Sequence, residues 1–199
     1  MNKLKLYFIL NFKLFVFSLA CLPVLFLMWG FWSNSLGANP IEEVIHQTGD
    51  WTLRFLLVTL LVSPLSRLLL WDQLVRVRRM LGLFVFFYAS LHLISYLWLD
   101  QFFLWDEMFL DIINRPFITL GFLAYILLIP LALTSTLFMV KRLKKYWKKL
   151  HRLAYIIPVL GIIHYWWLVK SDISEPVIYS VLLLILLLER LKNRYFRKS

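Results

Sequence analysis

Long uninterrupted apolar runs follow one another along the chain, and most of them have the length of a membrane-spanning helix. About 20 apolar residues in a helix cross the hydrocarbon core of a bilayer. Hydrophobic residues make up 61% of the 199 residues and charged residues 17%, whereas soluble domains are about a quarter charged. The runs therefore predict an integral membrane protein of the all-α class.

Six runs are predicted to span the membrane as one transmembrane domain covering residues 1–199, a six-helix bundle. They cover residues 14–32, 45–70, 80–99, 117–140, 150–169 and 177–190. The first follows a basic start, but it exceeds the 7–15 apolar residues of a signal peptide, so we expect an uncleaved helix. Pro130 is expected to kink the fourth run, and the sequence shows no evident repeat.

The charges alternate between the loops. The net charge is +11, and Lys and Arg cluster at residues 3–13, 67–79, 141–152 and 190–198, whereas the intervening loops are acidic. Basic loops remain cytoplasmic in membrane proteins. The pattern therefore predicts cytoplasmic N- and C-termini, and it explains the positive charge by topology in a lipid bilayer rather than by nucleic-acid binding.

Two histidines occupy matched depths in different runs. His92 lies 13 residues after Arg79 and His164 lies 15 after Lys149, which places both roughly 20 Å above the cytoplasmic boundary at ~1.5 Å per residue. Two imidazoles at one depth suit the axial positions of a b-type haem. Zinc favours four ligands, and no Cys, Asp or Glu lies at this depth. The alternative is that each histidine hydrogen-bonds within the bundle or lines a proton path.

The other two histidines lie nearer the ends of their runs. His151 is ~20 Å from His164 along one helix and is a candidate ligand of a second haem, although no opposing histidine lies in the inner half of any run. Its alternative role is that of a polar residue at the cytoplasmic rim. His46 suits a quinone or proton-transfer site, or an ordinary interfacial position.

The basic clusters at residues 76–79 and 141–149 suit a flavin phosphate or lipid headgroups, but topology explains them without a ligand.

Several segments together carry a resemblance to a known family. They are residues 37–40 with 46–49, 76–83, 91–93 with Tyr96, 115–116 with 119–121, 133–135, 147–155, and 164–166 with 169–170. With them the chain resembles the haem-binding membrane subunits of bacterial periplasmic methionine sulfoxide reductase systems, within the ferric-reductase-like transmembrane group. The similarity extends over nearly the whole chain.

The resemblance implies an electron-transfer subunit that is not an enzyme on its own. It implies b-type haem and FMN as cofactors, electrons drawn from membrane quinones, and delivery to a periplasmic molybdopterin-containing methionine sulfoxide reductase catalytic subunit. It also implies the bacterial inner membrane. His92 and His164 match the axial haem ligands, and His151 matches the remaining intramembrane histidine. No motif for the FMN site carries over. By position, residues 34–50, 100–115 and 170–175 are candidates for docking the reductase.

Two other functions remain open at this point. The first is a ferric or other metal-ion reductase with the same haem core, although such enzymes usually carry an attached cytoplasmic flavin domain, and this chain ends about ten residues after its last run. A separate flavin protein would then supply the electrons. The second is a proton-coupled transporter, which is less well supported because Asp and Glu, common in proton relays, are missing from the middle of the runs.

Overall fold

A computed structural model describes residues 3–169 and 172–196, and within these ranges the chain is helical without any strand. The α-helices are α1 Lys3–Trp32, α2 Pro40–Leu68, α3 Arg78–Ser95, α4 Trp105–Asn114, α5 Pro116–Leu133, α6 Leu137–Leu143, α7 Lys145–Leu150, α8 Leu153–Leu168 and α9 Ser174–Phe196. A 3₁₀ turn, Asp72–Arg76, precedes α3, and a π-helical turn, Tyr96–Asp100, extends it.

Four helical segments in the described part of the chain are long and apolar enough to cross a membrane. They are Ile9–Trp32, Pro40–Leu68, Arg78–Asp100 and Pro116–Leu133. The all-α membrane class is therefore confirmed. Helix α8 has 16 residues, which is short for a span, and α9 includes Glu175, Glu189 and Arg190. The six-span topology with cytoplasmic termini stays a prediction.

The chain forms two compact units, one up to Asp100 and one from Gln101. In the first unit, α2 and α3 pack along each other through an aromatic core. The ring of Phe55 on α2 stacks on Tyr88 of α3 at 5.2 Å and on Phe84 at 5.8 Å between ring centroids. Tyr88 is fully buried. This helix pair carries the first of the two matched-depth histidines.

Helix α1 joins the same unit through two of its backbone groups, which bond to a side chain of α3. The Tyr88 hydroxyl donates to the carbonyl of Ala20 at 2.8 Å and accepts from the amide of Val24 at 3.2 Å. These two backbone groups are four residues apart, one helical turn. Pro23 lies between them, and a proline has no amide hydrogen to donate in its own turn. A side chain from α3 therefore bonds to α1 at the turn that contains its proline.

In the second unit, α5 ends at Leu133, so the predicted run 117–140 is divided into two helices. The reason is local: the hydroxyl of Thr134 donates to the Pro130 carbonyl at 2.6 Å, and Ser135 donates to Leu131 at 2.7 Å. These bonds satisfy carbonyls at the helix end. Pro130 thus precedes a helix end rather than a kink. The predicted run 150–169 likewise begins later, at Leu153.

The acidic, aromatic segment after the third span contains the short helix α4. Met108 is buried, while the large apolar side chains of Trp105, Phe109, Leu110 and Ile113 are exposed. Asp106 and Glu107 lie in its first turn, where carboxylates interact favourably with the helix dipole. Helices of this amphipathic kind lie along membrane interfaces.

Candidate functional site

His92 lies in the second half of α3 and contacts the backbone of α2. Its ring nitrogen Nδ1 is 2.9 Å from the carbonyl oxygen of Ile45. A carbonyl oxygen can only accept, so Nδ1 carries the proton and donates this hydrogen bond. In a neutral imidazole the lone pair then belongs to Nε2. The contact therefore selects the tautomer in which Nε2 can bind a metal.

His164 repeats this arrangement in the second unit. It lies on α8, and its Nδ1 donates to the carbonyl oxygen of Phe117 on α5 at 2.6 Å. The Phe117 ring also lies 6.2 Å from the imidazole between centroids. The same reasoning assigns the lone pair of His164 to Nε2. The two histidines predicted as ligands are therefore both held in the metal-binding tautomer, each by a carbonyl of its own unit.

A glycine lies against each imidazole. A Cβ added to Gly49 would lie 3.1 Å from Cε1 and 3.2 Å from Nδ1 of His92. A Cβ added to Gly121 would lie 3.1 Å from both of these atoms in His164. Ordinary contacts with a Cβ are 3.4–4 Å, so an added Cβ at either glycine would require its imidazole to shift by a few tenths of an ångström.

The two arrangements are copies related by a constant spacing in sequence. Each consists of a residue whose carbonyl accepts from the histidine, a glycine four residues further on, and the histidine itself 43 residues after the glycine. Three residues of the first copy therefore precede their counterparts by 72 positions: Ile45 and Phe117, Gly49 and Gly121, and His92 and His164. The sequence shows no evident repeat because the helices around these positions have different side chains. The helix pair α2–α3 corresponds to α5–α8.

His151 differs from both. It lies in the turn between α7 and α8, its ring stacks on Trp147 at 4.0 Å between centroids, and its Nε2 is 3.1 Å from Oγ1 of Thr134. The indole of Trp147 also donates to the Thr134 carbonyl at 2.9 Å. His151 and Trp147 therefore fasten the start of α8 to the end of α5. This placement is close to the predicted rim position and lies before the helix rather than within it.

The first unit has a comparable hydrogen bond between α2 and α3, at the end of the pair where α3 begins. Arg78, the first residue of α3, donates to the hydroxyl of Ser63 near the end of α2 at 3.1 Å. In both units a basic side chain at the start of the second helix thus contacts a hydroxyl near the end of the first. His151 and Arg78 thus make comparable contacts at the starts of α8 and α3.

The fourth histidine is not part of either arrangement. His46 is exposed on α2, with Nε2 4.0 Å from a carboxylate oxygen of Glu42, and Asp50 pairs with Arg54 at 3.6 Å. Its neighbour Ile45 supplies the carbonyl that orients His92. His46 therefore has the surroundings of an interfacial polar residue.

The strongest basic cluster surrounds an open cavity of about 630 Å³. Its lining residues are Val140, Lys144, Lys145, Lys148, Lys149 and Arg152. Lys144 has a positive φ of 46° where α6 gives way to α7. The cationic lining belongs to the basic cluster at residues 141–149. The positive-inside rule accounts for this cluster without a ligand.

The donor set suits one class of cofactor. In the described ranges, no three His, Cys, Asp or Glu side chains gather so that they could hold a bare metal ion. Each single imidazole, with Nδ1 engaged and Nε2 carrying the lone pair, instead has the form of a histidine that would bind a haem iron. The Nδ1 contact is the kind of outer interaction that orients metal-binding histidines. The residues present therefore fit a haem.

A helical membrane protein that carries such imidazoles, one of them on the candidate span Arg78–Asp100, belongs to the class of membrane redox proteins. Residues 48–162 match the family described as "Ferric reductase like transmembrane component", and the chain belongs to this family. It is 54% identical over 170 residues to the protein-methionine-sulfoxide reductase heme-binding subunit MsrQ of Herminiimonas arsenicoxydans, covering 84% of this chain and 78% of that protein.

Other relatives carry the same name. The MsrQ protein of Xanthomonas campestris pv. campestris strain B100 is 51% identical over 171 residues, covering 83% of this chain and 78% of that protein. That of Xanthomonas euvesicatoria pv. vesicatoria is 49% identical over 181 residues, covering 88% and 83%. No solved structure matches the chain. The predicted family resemblance is confirmed, and the chain is a membrane redox subunit.

The sequence interpretation missed the two glycines and the two carbonyls. Gly49 and Gly121 lie inside segments that carry the family resemblance, which was the available signal. Their role depends on contacts with residues 43 positions away, and a single sequence does not reveal such a contact.

Proposed function

We propose that the chain is the electron-transfer subunit of a methionine sulfoxide reductase system and holds a b-type haem through His92 and His164. One observation carries the proposal: both histidines have Nδ1 hydrogen-bonded to a backbone carbonyl and the ring against a glycine. Their matched depth in the sequence and the names of the relatives support it. The proposed chain has no site for methionine sulfoxide itself.

A bound haem supplies reversible one-electron chemistry at its iron. The protein contributes ligand orientation, ligand basicity and an apolar environment. A hydrogen bond from Nδ1 to a carbonyl gives the imidazole partial anionic character, which makes Nε2 a stronger donor. A stronger donor favours ferric over ferrous iron and lowers the reduction potential. His92 and His164 thus set the potential as well as the position of the haem.

His151 is proposed as the candidate ligand of a second haem. Binding the iron would require it to give up its contact with Thr134. Its Nε2 is 3.1 Å from Thr134 Oγ1, so iron would have to replace the hydroxyl at this nitrogen. Binding by His151 would make two haems per chain rather than one. Haem stoichiometry from a pyridine haemochrome assay distinguishes these two numbers.

The electron donor and the acceptor complete the proposal. Membrane quinols supply two electrons and two protons, FMN serves as a second cofactor, and a periplasmic molybdopterin-containing catalytic subunit receives the electrons. That subunit reduces the sulfoxide to a thioether and water with two electrons and two protons. The chain crosses the bacterial inner membrane six times with both termini in the cytoplasm. The alternation of loop charges and the family membership support this arrangement.

Optical spectroscopy of the purified chain in detergent tests the haem assignment. We expect a dithionite-reduced minus oxidised spectrum typical of low-spin haem b, and its loss in His92→Ala and in His164→Ala. His46→Ala is the matched control, because this exposed histidine lies outside both arrangements. A pyridine haemochrome assay gives haem per chain. Retention of an unchanged low-spin spectrum in His92→Ala or His164→Ala would refute the ligand assignment.

The match to the ferric-reductase family favours one second candidate, a metal-ion reductase that receives electrons from a separate flavin protein. The electron donor separates the two functions. Membranes containing the protein are supplied either with a quinol or with NAD(P)H and a flavin reductase, and haem reduction is followed at its α-band. Reduction by quinol, abolished by extracting the quinones and restored by adding them back, supports the first function. Ferric chelate reduction that requires the flavin protein supports the second.

A further inference from the structure

Gly49 and Gly121 lie one helical turn beyond the two carbonyls that hold the histidines. Ile45 precedes Gly49 by four residues and Phe117 precedes Gly121 by four. In an α-helix the carbonyl of one residue points toward the residue four positions later, and each Cβ tilts toward the N-terminus of its helix. A side chain at the fourth position would therefore cover the carbonyl. Glycine leaves it accessible from the side.

We propose that Gly49 and Gly121 are positioning residues that let each imidazole reach the carbonyl one turn earlier, and thereby fix the tautomer and donor strength of His92 and His164. This inference rests on the proposed haem function and extends it to residues that do not touch the haem iron. The Cβ positions argue for it directly, since an alanine would come within 3.1 Å of either ring. The ring would have to move by a few tenths of an ångström, away from its carbonyl.

The repetition of the arrangement is an independent reason. Two helix pairs with different side chains use the same residue type at the same place relative to the carbonyl and the histidine. Glycine in a helix interior is less favourable than alanine. A residue that weakens two helices at matching positions is explained by the imidazole that it accommodates.

The two sites are not equally tight. The Nδ1 to carbonyl distance is 2.6 Å for His164 and 2.9 Å for His92. A Cβ at Gly121 would also meet Cγ of its histidine at 3.5 Å. Alanine at Gly121 should therefore displace its histidine more than alanine at Gly49 does. This order is a specific consequence of the geometry.

The test compares Gly49→Ala and Gly121→Ala with Gly82→Ala. The control glycine lies on α3, the helix of His92, and an added Cβ there would meet only a methyl group of Thr59 at 4.0 Å. In the haem-loaded chain we expect both test variants to raise the midpoint potential and to change the g values of the ferric electron paramagnetic resonance spectrum. Haem affinity should fall by about 10–100-fold, as for other outer contacts of metal ligands. Gly82→Ala should leave all three unchanged.

A second measurement does not require haem. The ¹⁵N chemical shifts of the imidazoles in haem-free protein report which nitrogen carries the proton, with signals assigned through His→Gln variants. We expect Nδ1-protonated rings for His92 and His164, and a shift toward Nε2 protonation in the matching glycine variant only. Unchanged shifts and unchanged g values in folded Gly49→Ala and Gly121→Ala would overturn the inference. A wild-type chain that binds no haem but shows the expected tautomers would refute the proposed function and leave the positioning role standing.

Discussion

The hydroxyl of Tyr88 hydrogen-bonds to two backbone groups of α1 that are one helical turn apart, at Ala20 and Val24. It donates to the Ala20 carbonyl at 2.8 Å and accepts from the Val24 amide at 3.2 Å. Tyr88 belongs to α3, four residues before His92, and it stacks on Phe55 of α2. One side chain therefore connects all three helices of the first unit, immediately beside the histidine site.

Removing this hydroxyl should loosen α1 from the other two helices. Interhelical hydrogen bonds in membranes contribute about 0.6 kcal/mol each on average, so Tyr88→Phe, which loses two, should destabilise the unit by about 1 kcal/mol. Thermal unfolding in detergent measures the change. Tyr7→Phe is the control, since Tyr7 is 67% exposed. Equal melting temperatures for the two variants would show that the bridge contributes nothing to stability.

Thr134 is the residue through which His151 is attached to α5. Its Oγ1 lies 2.6 Å from the Pro130 carbonyl and 3.1 Å from Nε2 of His151. Thr134→Val removes both contacts without changing the shape of the side chain, and it should lower stability by about 1 kcal/mol. Thr52→Val is a suitable control because its hydroxyl bonds only within its own helix.

The same variant also informs the role of His151. If His151 serves only as a fastening, Thr134→Val leaves the haem content and the optical spectrum unchanged, and so does His151→Ala. If it binds a second haem, His151→Ala lowers the pyridine haemochrome value by one haem per chain. We expect the low-spin spectrum assigned to His92 and His164 to persist in both variants.

Asp172 has a pKa below its ordinary value because the hydroxyl and the amide of Ser174 both donate to its carboxylate. Ser174→Ala should raise this pKa toward the ordinary value. Since the folded-state pKa is depressed, the interaction stabilises the protein above the unfolded-state pKa of about 3.9 and its contribution disappears as the pH falls through the folded-state value. A carbon-detected NMR titration of the aspartate carboxyl measures the shift. Ser33→Ala, which alters a hydroxyl that donates to the Trp29 carbonyl, should leave the titration unchanged.

Helix α4 is the most sharply defined candidate for docking the catalytic subunit, because its acidic first turn adjoins exposed aromatic side chains. Neutralising Asp106 and Glu107 to Asn and Gln should slow electron delivery several-fold at low ionic strength and little at high salt, since charges at the edge of an interface act mainly on association rate. The measurement is reoxidation of the reduced haem by the catalytic subunit. Identical rates at low salt would exclude this helix as the docking surface.

Two other segments, residues 34–50 and 170–175, are also candidates for docking. The segment 34–50 includes the start of α2, where Asn39 accepts from the amide of Glu42 and caps the helix. The segment 170–175 begins with Lys170 and Ser171, which lie outside the described residues. Neutralising Glu42 and Glu43 provides a comparison for the variants of α4.

The local pattern of the chain accounts for most of the architecture. Four apolar runs became helices long enough to span a membrane, although α2 starts at Pro40, five residues before the predicted run 45–70, where Asn39 caps it. The errors lie at the helix ends. Thr134 and Ser135 end α5 by hydrogen bonds to their own helix, and the helix after His151 begins only at Leu153. The end of α5 thus depends on polar contacts within a run that reads as apolar.

The sequence by itself determined that the chain is a helical membrane protein. The length of an apolar run is a local property, and apolar helices of that length are more stable in a bilayer than in water. It also singled out His92 and His164, since their depth follows from counting along two helices. Only the tertiary structure decided how these histidines are held. A carbonyl 47 residues earlier and a glycine 43 residues earlier meet each ring, and contacts of that separation arise from helix packing, which no local pattern specifies.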